Sequence, residues 1–316
     1  MRVLVTGAFG NIGTNALKSL LEQGHKVRCF VRKRKANQRK ANKFKGQIEV
    51  VWGDVRRPGD MAAAIKDQEV VIHLAFIMPP ASEERPEWAR EINVGGTQNL
   101  LNAMKALSPL PKIIFSSSFT VFGETQHQPP PRTVSDPVQP MDNYTHHKVE
   151  CEKLLHESGL GWAVFRFAVV PPMSLGGFSP KVFDIPVDTR VEFVHPRDAG
   201  LALANAVSCK EVWGKTLLIG SGPSGQLYYG DFIGRMLEAL GIGRLPDQAF
   251  GFASAYTDWL DTTESQRLLQ YQQHSFEDLV QETASLLGYK RYLVPLVRPL
   301  VRRWLLKQSP YFKAKK

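Results

Sequence analysis

Tyr144 and Lys148 stand four residues apart in Asn143-Tyr-Thr-His-His-Lys148, a spacing that stacks a phenol and an ammonium on one face of a helix. A phenol, with an ordinary pKa of about 10, exchanges protons poorly at neutral pH. A fixed cation beside it favours the phenolate and draws that pKa toward working range. Tyrosine then serves as a general acid or base. The same pair fits an ordinary solvated helix face, so its meaning depends on the elements around it.

The chain opens on Met1-Arg-Val-Leu-Val-Thr6, a short buried strand in pattern, and runs directly into Gly7-Ala-Phe-Gly10-Asn-Ile-Gly13. Ala16, Leu17, Leu20 and Leu21 then recur at helical spacing between Thr14 and Gln23. A glycine-rich turn from strand to helix lets the backbone approach a pyrophosphate, and the helix N-terminus adds free N–H groups and partial positive charge. The spacing is Gly-x-x-Gly-x-x-Gly rather than the commoner Gly-x-Gly-x-x-Gly. Glycines that merely end a strand are the plainer reading, which the flanking strand and helix argue against.

Further strand patterns follow at Lys26 to Val31, Ile48 to Trp52, Glu69 to Leu74, Lys112 to Ser116 and Gly161 to Arg166, with helical stretches between them, the clearest from Trp88 to Leu107. Such alternation predicts an α/β fold with a doubly wound parallel sheet and right-handed crossovers. Phe193 to Ala206 and Thr216 to Gly220 read as a return to the sheet. The expected division is a dinucleotide-binding domain over 1–165 plus about 193–220, a smaller α/β cap over 166–192 plus 222–288, and a basic extension over 289–316. The proline-rich stretch Gln128 to Pro140 reads as a loop delivering the chain to the Tyr144 helix, or simply as a linker.

The 316 residues suffice for both domains, and the net charge of +10 is concentrated. Residues 23–48 carry ten Lys and Arg and no acid, and residues 283–316 carry nine and no acid. Elsewhere acids outnumber bases, which argues against a nucleic-acid coat and for two local tasks. Cys29, Cys151 and Cys209 are scattered and the histidines are not clustered along the chain. The expectation is a reduced, cytoplasmic protein with no metal site. A first strand at Met1 leaves no room for a signal peptide, and no apolar run approaches the roughly 20 residues that span a bilayer.

Taken together, these motifs resemble the extended short-chain dehydrogenase/reductases, the NAD(P)-dependent epimerase and dehydratase group. The resemblance runs over about residues 1–288. Thr6 to Gly13 looks like the family's cofactor loop, Gly53-Asp54 like its adenine-contacting turn, His73-Leu-Ala75 like the end of its fourth strand, and Asn93-Val-Gly-Gly-Thr97 like its Asn-bearing helix. Ser116-Ser-Ser118 followed by Val121-Phe-Gly123 is similar to the strand supplying the active hydroxyl, and Tyr144 and Lys148 fall on the Tyr-x-x-x-Lys pair. Arg166, His195-Pro-Arg-Asp198 and Asp261 to Tyr271 resemble later landmarks.

The resemblance implies that Tyr144 moves a proton, Ser118 hydrogen-bonds the reacting oxygen, Lys148 lowers the Tyr144 pKa and binds the nicotinamide ribose, and Asn93 supports the Lys side of the site from a helix; Asn93 also fits a simple polar residue at a helix N-terminus. The cofactor would lie against Gly7, Phe9, Gly10, Asn11, Ile12, Gly13, Arg32, Arg34, Asp54, Val55, Leu74, Ala75 and Phe76. Asp54 also fits a turn aspartate before Arg56-Arg57-Pro58, and His73 reads as structural. The resembling proteins often dimerise through helices matching 88–107 and 142–158.

Dinucleotide sites for NAD place a carboxylate at the end of the second strand, whereas a 2′-phosphate wants arginine. Here Val27 to Val31 ends in Arg32-Lys33-Arg34-Lys35. NADP(H) is therefore favoured, with Arg32 foremost and Arg34 or Lys33 as helpers, and NAD(H) stays open. Arg39, Lys40, Lys43 and Lys45 read as a solvated basic helix.

Dehydratases of this kind carry Asp-Glu after the active hydroxyl, where this chain has Phe119 and Thr120. Nucleotide-sugar members carry an Asn three residues after the arginine matching Arg166, where this chain has Val169. With Phe76, Ile77, Met78, Phe119, Phe122 and Phe178 near the expected pocket, the favoured reading is an oxidoreductase acting on an apolar or aromatic ketone, aldehyde or secondary alcohol. Each of the six also fits plain core. A nucleotide-sugar epimerase and a non-catalytic dinucleotide-binding regulator are the alternatives.

Past the resemblance, Tyr289, Leu293, Leu296, Leu300 and Trp304 recur at helical spacing among Lys290, Arg298, Arg302, Arg303 and Lys307. Residues 289–307 could lie on an anionic membrane surface. Pro295 and Pro299 break a continuous helix and favour the other reading, a short helix capping the substrate domain ahead of a solvated basic end.

Overall fold

The sheet is built from strands buried on both faces. In the computed structural model, which describes residues 1–174 and 179–312, β1 (Arg2–Thr6), β2 (Lys26–Val31), β3 (Ile48–Trp52), β4 (Val70–His73), β5 (Lys112–Ser118), β6 (Trp162–Phe167) and β8 (Lys215–Ile219) form one sheet. All six neighbouring pairs are parallel, in the order β3-β2-β1-β4-β5-β6-β8. β7 (Arg190–Glu192) and β9 (Gln226–Tyr228) pair antiparallel outside it. Successive side chains of β1 serve opposite cores: Val3 and Val5 join Leu17, Leu20 and Leu203 on one face, while Leu4 joins Met61, Ile65 and Leu100 on the other. Helices therefore cover both sides, and the central strands read as unbroken apolar runs. The chain reverses its direction of winding between β1 and β4, which opens a crevice beyond the carboxyl ends of those strands.

The expected single helix from Trp88 to Leu107 is instead Pro86–Arg90, a π-helical turn over Glu91–Gly95, and Gly96–Lys105. A π turn inserts an extra residue and re-aims side chains, here including Asn93. The stretch 193–206 returns not as a strand but as the helix Pro196–Ser208, packed on Asn11–Glu22.

Two of the dispersed histidines, His195 and His274, meet in space. His195, Asp198 and His274 present ligand-type atoms within 4.8 Å of one another. Asp198 accepts His274 Nδ1 at 2.5 Å and the backbone N–H groups of Gln273 and His274, and the two imidazoles stack at 4.4 Å. His195 Nδ1 accepts from the Arg197 N–H, so the neutral ring carries its proton on Nε2. These bonds fasten residues 273 and 274 to the Pro196–Ser208 helix.

The terminal segment forms one helix, Val294–Gln308, through both prolines. Pro295 lies in the first turn, where its missing N–H costs nothing, and Pro299 forfeits one internal bond. Tertiary contacts offset that loss. Arg302 donates to the carbonyls of Ile242, Gly243 and Arg244, Ser309 donates to Ala249, and Leu305 enters a cluster with Phe183, Tyr229 and Phe250. No helix among the described residues is long and apolar enough to cross a membrane. Phe178 and the Lys290 side chain lie outside the described residues.

Candidate active site

The crevice at the β1–β4 switch is a cleft of about 300 Å³ lined by Gly7, Phe9, Gly10, Arg32, Asp54, Val55, Leu74, Ala75 and Phe76 among others. The loop at its floor tolerates only glycine at two places, Gly7 at the cleft and Gly13 behind it. Gly7 has φ +67°, and a Cβ there would sit 2.9 Å from the Ala75 nitrogen; a Cβ on Gly13 would sit 2.6 Å from the Gly7 carbonyl oxygen. Backbone is thus bared toward the cleft, and the helix Asn11–Glu22 begins beside it with no acid in its first turn. These are the features a pyrophosphate requires. Asn11, Ile12 and Gly13 do not line the cleft. Asn11 donates to the carbonyls of Val170 and Pro171, Ile12 packs on the core, and Gly13 lets helix and loop approach.

At the far end of β2, Arg32 lines the cleft with Asn37, whose amide donates to the Arg32 carbonyl at 2.8 Å. Burial and the neighbouring charge of Arg34 lower the Arg32 pKa. Arg34 itself is exposed, stands at the N-cap of Lys35–Asn42 and does not line the cleft. Lys40 is no mere solvated cation, because its ammonium donates to the Phe9 carbonyl at 2.6 Å and ties the basic helix to the glycine loop. Asp54 lines the cleft, yet Arg56 holds its carboxylate through two hydrogen bonds at 3.1 and 2.7 Å, which depresses its pKa. Asn37 carries no motif in the sequence, and Thr6 figures there only as the first residue of the cofactor loop. Thr6 takes the Leu74 and Ala75 N–H groups at 3.1 Å on its hydroxyl and meets His73 at 2.7 Å.

Tyr144 is set by the start of its helix. Asp142 and Thr145 form a reciprocal capping box at the N-terminus of Asn143–His156, and Glu83 accepts the Asn143 and Tyr144 N–H groups. Ser118 ends β5 with its hydroxyl 2.8 Å from that of Thr120 and close enough to Tyr144 to favour the phenolate. One residue back on the same strand, Ser117 donates to Glu152 at 2.5 Å, and Arg166 grips the same carboxylate at 3.1 and 2.7 Å. That buried link locks β5 and β6 to the Tyr144 helix.

The expected electrostatics are corrected here. Burial pushes the Tyr144 phenol up to about 12, against a smaller downward pull from Ser118. Lys148 does not bring it down, because the amine is itself buried, is pushed to about 7, and donates to the Ser116 carbonyl. Lys148 Nζ stands 5.5 Å from the Tyr144 ring centre but 3.6 Å from that of Phe76. Phe76 therefore forms a shared wall, facing the cleft on one side and the Tyr–Lys pair on the other.

The Asn93 amide accepts from the Ile77 N–H at 2.7 Å, donates to the Ile77 carbonyl at 3.0 Å and meets His147, on the helix that carries Lys148. His73 is fully buried between Thr6 and Thr97 and kept neutral, with its pKa down to about 3. Of the apolar set, Phe76 and Ile77 line the cleft, Met78 is exposed, and Phe119 and Phe122 belong to the core.

A parallel sheet with a glycine-rich cleft at its switch point, and a Ser–Tyr–Lys set at its edge, defines a dinucleotide-binding protein of the short-chain dehydrogenase/reductase type. A sequence model of the NAD dependent epimerase/dehydratase family matches residues 3–180, and the chain belongs to that family. Similar curated proteins include the photosystem II assembly factor Ycf39 of Cyanophora paradoxa, 28% identical over 58% of this chain and 50% of that one. A UDP-glucose 4-epimerase of Vibrio cholerae is 35% identical over 48% of this chain and 45% of its own. A 3 beta-hydroxysteroid dehydrogenase/Delta 5-->4-isomerase of Mycobacterium tuberculosis is 31% identical over 49% and 42% respectively. The chain thus spans half or less of each of these relatives. Among solved structures, a UDP-glucose-4-epimerase of Stenotrophomonas maltophila with bound NAD superposes with a TM-score of 0.78 at 22% identity, over 93% of this chain and 99% of that one. A short-chain dehydrogenase/reductase superfamily protein of Agrobacterium tumefaciens, also with NAD, gives 0.76 at 20% identity, over 94% and 100%.

Proposed function

We propose that this protein is an NADP(H)-dependent oxidoreductase that interconverts an apolar ketone or aldehyde and the corresponding alcohol. The observation that carries the reading is the meeting of Ser118, Tyr144 and Lys148 behind one wall of the glycine-floored cleft. A bound nicotinamide supplies or accepts the hydride. Tyr144 holds the proton on its Oη and passes it to the reacting oxygen, while the Ser118 hydroxyl hydrogen-bonds that oxygen. With a pKa near 12, Tyr144 is protonated at neutral pH and suited to the reducing direction. Lys148 would hold the ribose hydroxyls, Gly7 to Gly10 the pyrophosphate, and Arg32 with Asn37 the 2′-phosphate.

Phe76 and Ile77 at the cleft, and Val169 where a diphosphate would want an amide, support a compact apolar substrate. The 35% identity to a UDP-glucose 4-epimerase supports a second reading, epimerisation of a nucleotide sugar. NADPH oxidation against aryl ketones, aldehydes and UDP-sugars, with product analysis for epimers, separates the two. Turnover of a UDP-sugar alone would sink the first. Silence toward every compound with NADPH still bound would sink both and leave a non-catalytic regulator.

A further inference from the structure

The helix Val294–Gln308 presents two apolar faces. One, through Val301, Leu305 and Leu306, packs on the cap. The other faces outward: Leu293 is 53% exposed, Leu296 78%, Val297 44%, Leu300 70% and Trp304 52%. Leu296, Leu300 and Trp304 recur every fourth residue, so they form one continuous stripe. A helix ordinarily turns its polar face to water. This helix is anchored by its inner side and leaves Leu296 and Leu300 largely exposed on its outer side, so these leucines are not there to complete the fold.

The charges beside the stripe identify what it fits. Arg303 and Lys307 stand exposed beside it, while Arg298 and Arg302 turn to the carbonyls of residues 242–244, and residues 283–316 contain nine Lys and Arg and no acid. A second copy of the chain is a poor occupant, since a two-fold contact would set these cations against their own copies. An anionic bilayer suits both halves of the pattern: acyl chains for the leucines, lipid phosphates for the flanking cations, and the interfacial zone for the Trp304 indole. We propose that this helix docks the protein on the surface of an anionic phospholipid membrane, lying in the interface without crossing it.

The test uses the full chain and sedimentation with vesicles of neutral phosphatidylcholine or of the same lipid with about 30 mol% anionic phospholipid. The expected result is binding to the anionic vesicles only, weakened by high salt. Leu296→Ser with Leu300→Ser, and separately Arg303→Glu with Lys307→Glu, should each reduce binding at least about tenfold. All four side chains are exposed, so NADPH titration and the thermal midpoint should stay at wild-type values, which separates lost docking from lost fold. Equal recovery with neutral and anionic vesicles, or no binding to either, overturns the proposal. So does a dimer in sedimentation velocity that Leu296→Ser with Leu300→Ser dissociates, because the stripe is then a self-interface.

Discussion

Phe76 lies with its ring centre 3.6 Å from the ammonium nitrogen of Lys148 and meets Tyr144 edge-on at 5.7 Å. One aromatic ring thereby covers one side of the amine and supports the phenol. Shielding depresses the Lys148 pKa, because burial penalises the charged form more than the ring's negative face and nearby Glu152 favour it. Phe76→Ala admits water along that wall. The Lys148 pKa should climb from about 7 toward the ordinary lysine range, read by NMR titration of the Lys148 side chain. An unmoved titration would mean that the ring is not what keeps the amine dry.

The Tyr144 phenol carries the complementary prediction. A pKa raised to about 12 keeps the proton on the tyrosine across the working range. In kcat/KM for carbonyl reduction, no decline from loss of this proton should therefore occur below that pH. Alcohol oxidation needs the phenolate and should rise with pH throughout the accessible range. Tyr144→Phe should lower kcat by about 10²–10⁴ and remove that rise. An oxidation profile that levels off near neutrality would contradict the raised pKa.

Arg32 is the side chain on which cofactor choice should turn, since it lines the cleft while Arg34 does not. Arg32→Ser should weaken NADPH binding by about 10- to 100-fold and change NADH binding by less than about threefold, measured by fluorescence titration. Arg34→Ser should have the smaller effect. Equal losses for both cofactors would assign Arg32 to the adenosine rather than to a 2′-phosphate.

The central strands and the glycine loop were legible in the sequence because both are local signals. β2 and β3 fall on the expected boundaries, each a short run of apolar and β-branched residues closed by polar ones. What escaped is contact across the fold. Lys40 reaches the Phe9 carbonyl over 31 residues, and Asp198 meets His274 over 76; no periodicity encodes such pairings. Phe119 and Phe122 show the converse error. Their place beside Ser118 suggested a substrate wall, yet the turn Phe119–Phe122 sends both into the core. The Tyr144 pKa departs from the spacing argument for a related reason, since spacing gives proximity but not burial, and burial raises it here. The terminal helix overrode its prolines because arginine-to-carbonyl bonds and Leu305 hold it from outside.

Glu192 tests how β7 is joined to the segments around residues 222, 226 and 260. Its carboxylate is fully buried and accepts the Leu260 N–H at 2.7 Å, the Gly222 N–H at 3.0 Å and the Gln226 amide at 3.1 Å, using both oxygens. Burial outweighs these bonds and raises its pKa to about 7. The native state therefore holds this proton more tightly than the unfolded chain, whose glutamates titrate near ~4.3. Stability from this group is complete below that lower value and declines as pH rises through about 7. Glu192→Gln removes the titration, so that decline should disappear from the denaturant midpoint measured across the same window. The amide also turns one acceptor into a donor facing existing donors, which should cost about 1–3 kcal/mol at neutral pH. Wild-type stability in Glu192→Gln, or an unchanged pH dependence, would show that the carboxylate is neither the joint nor the titrating group.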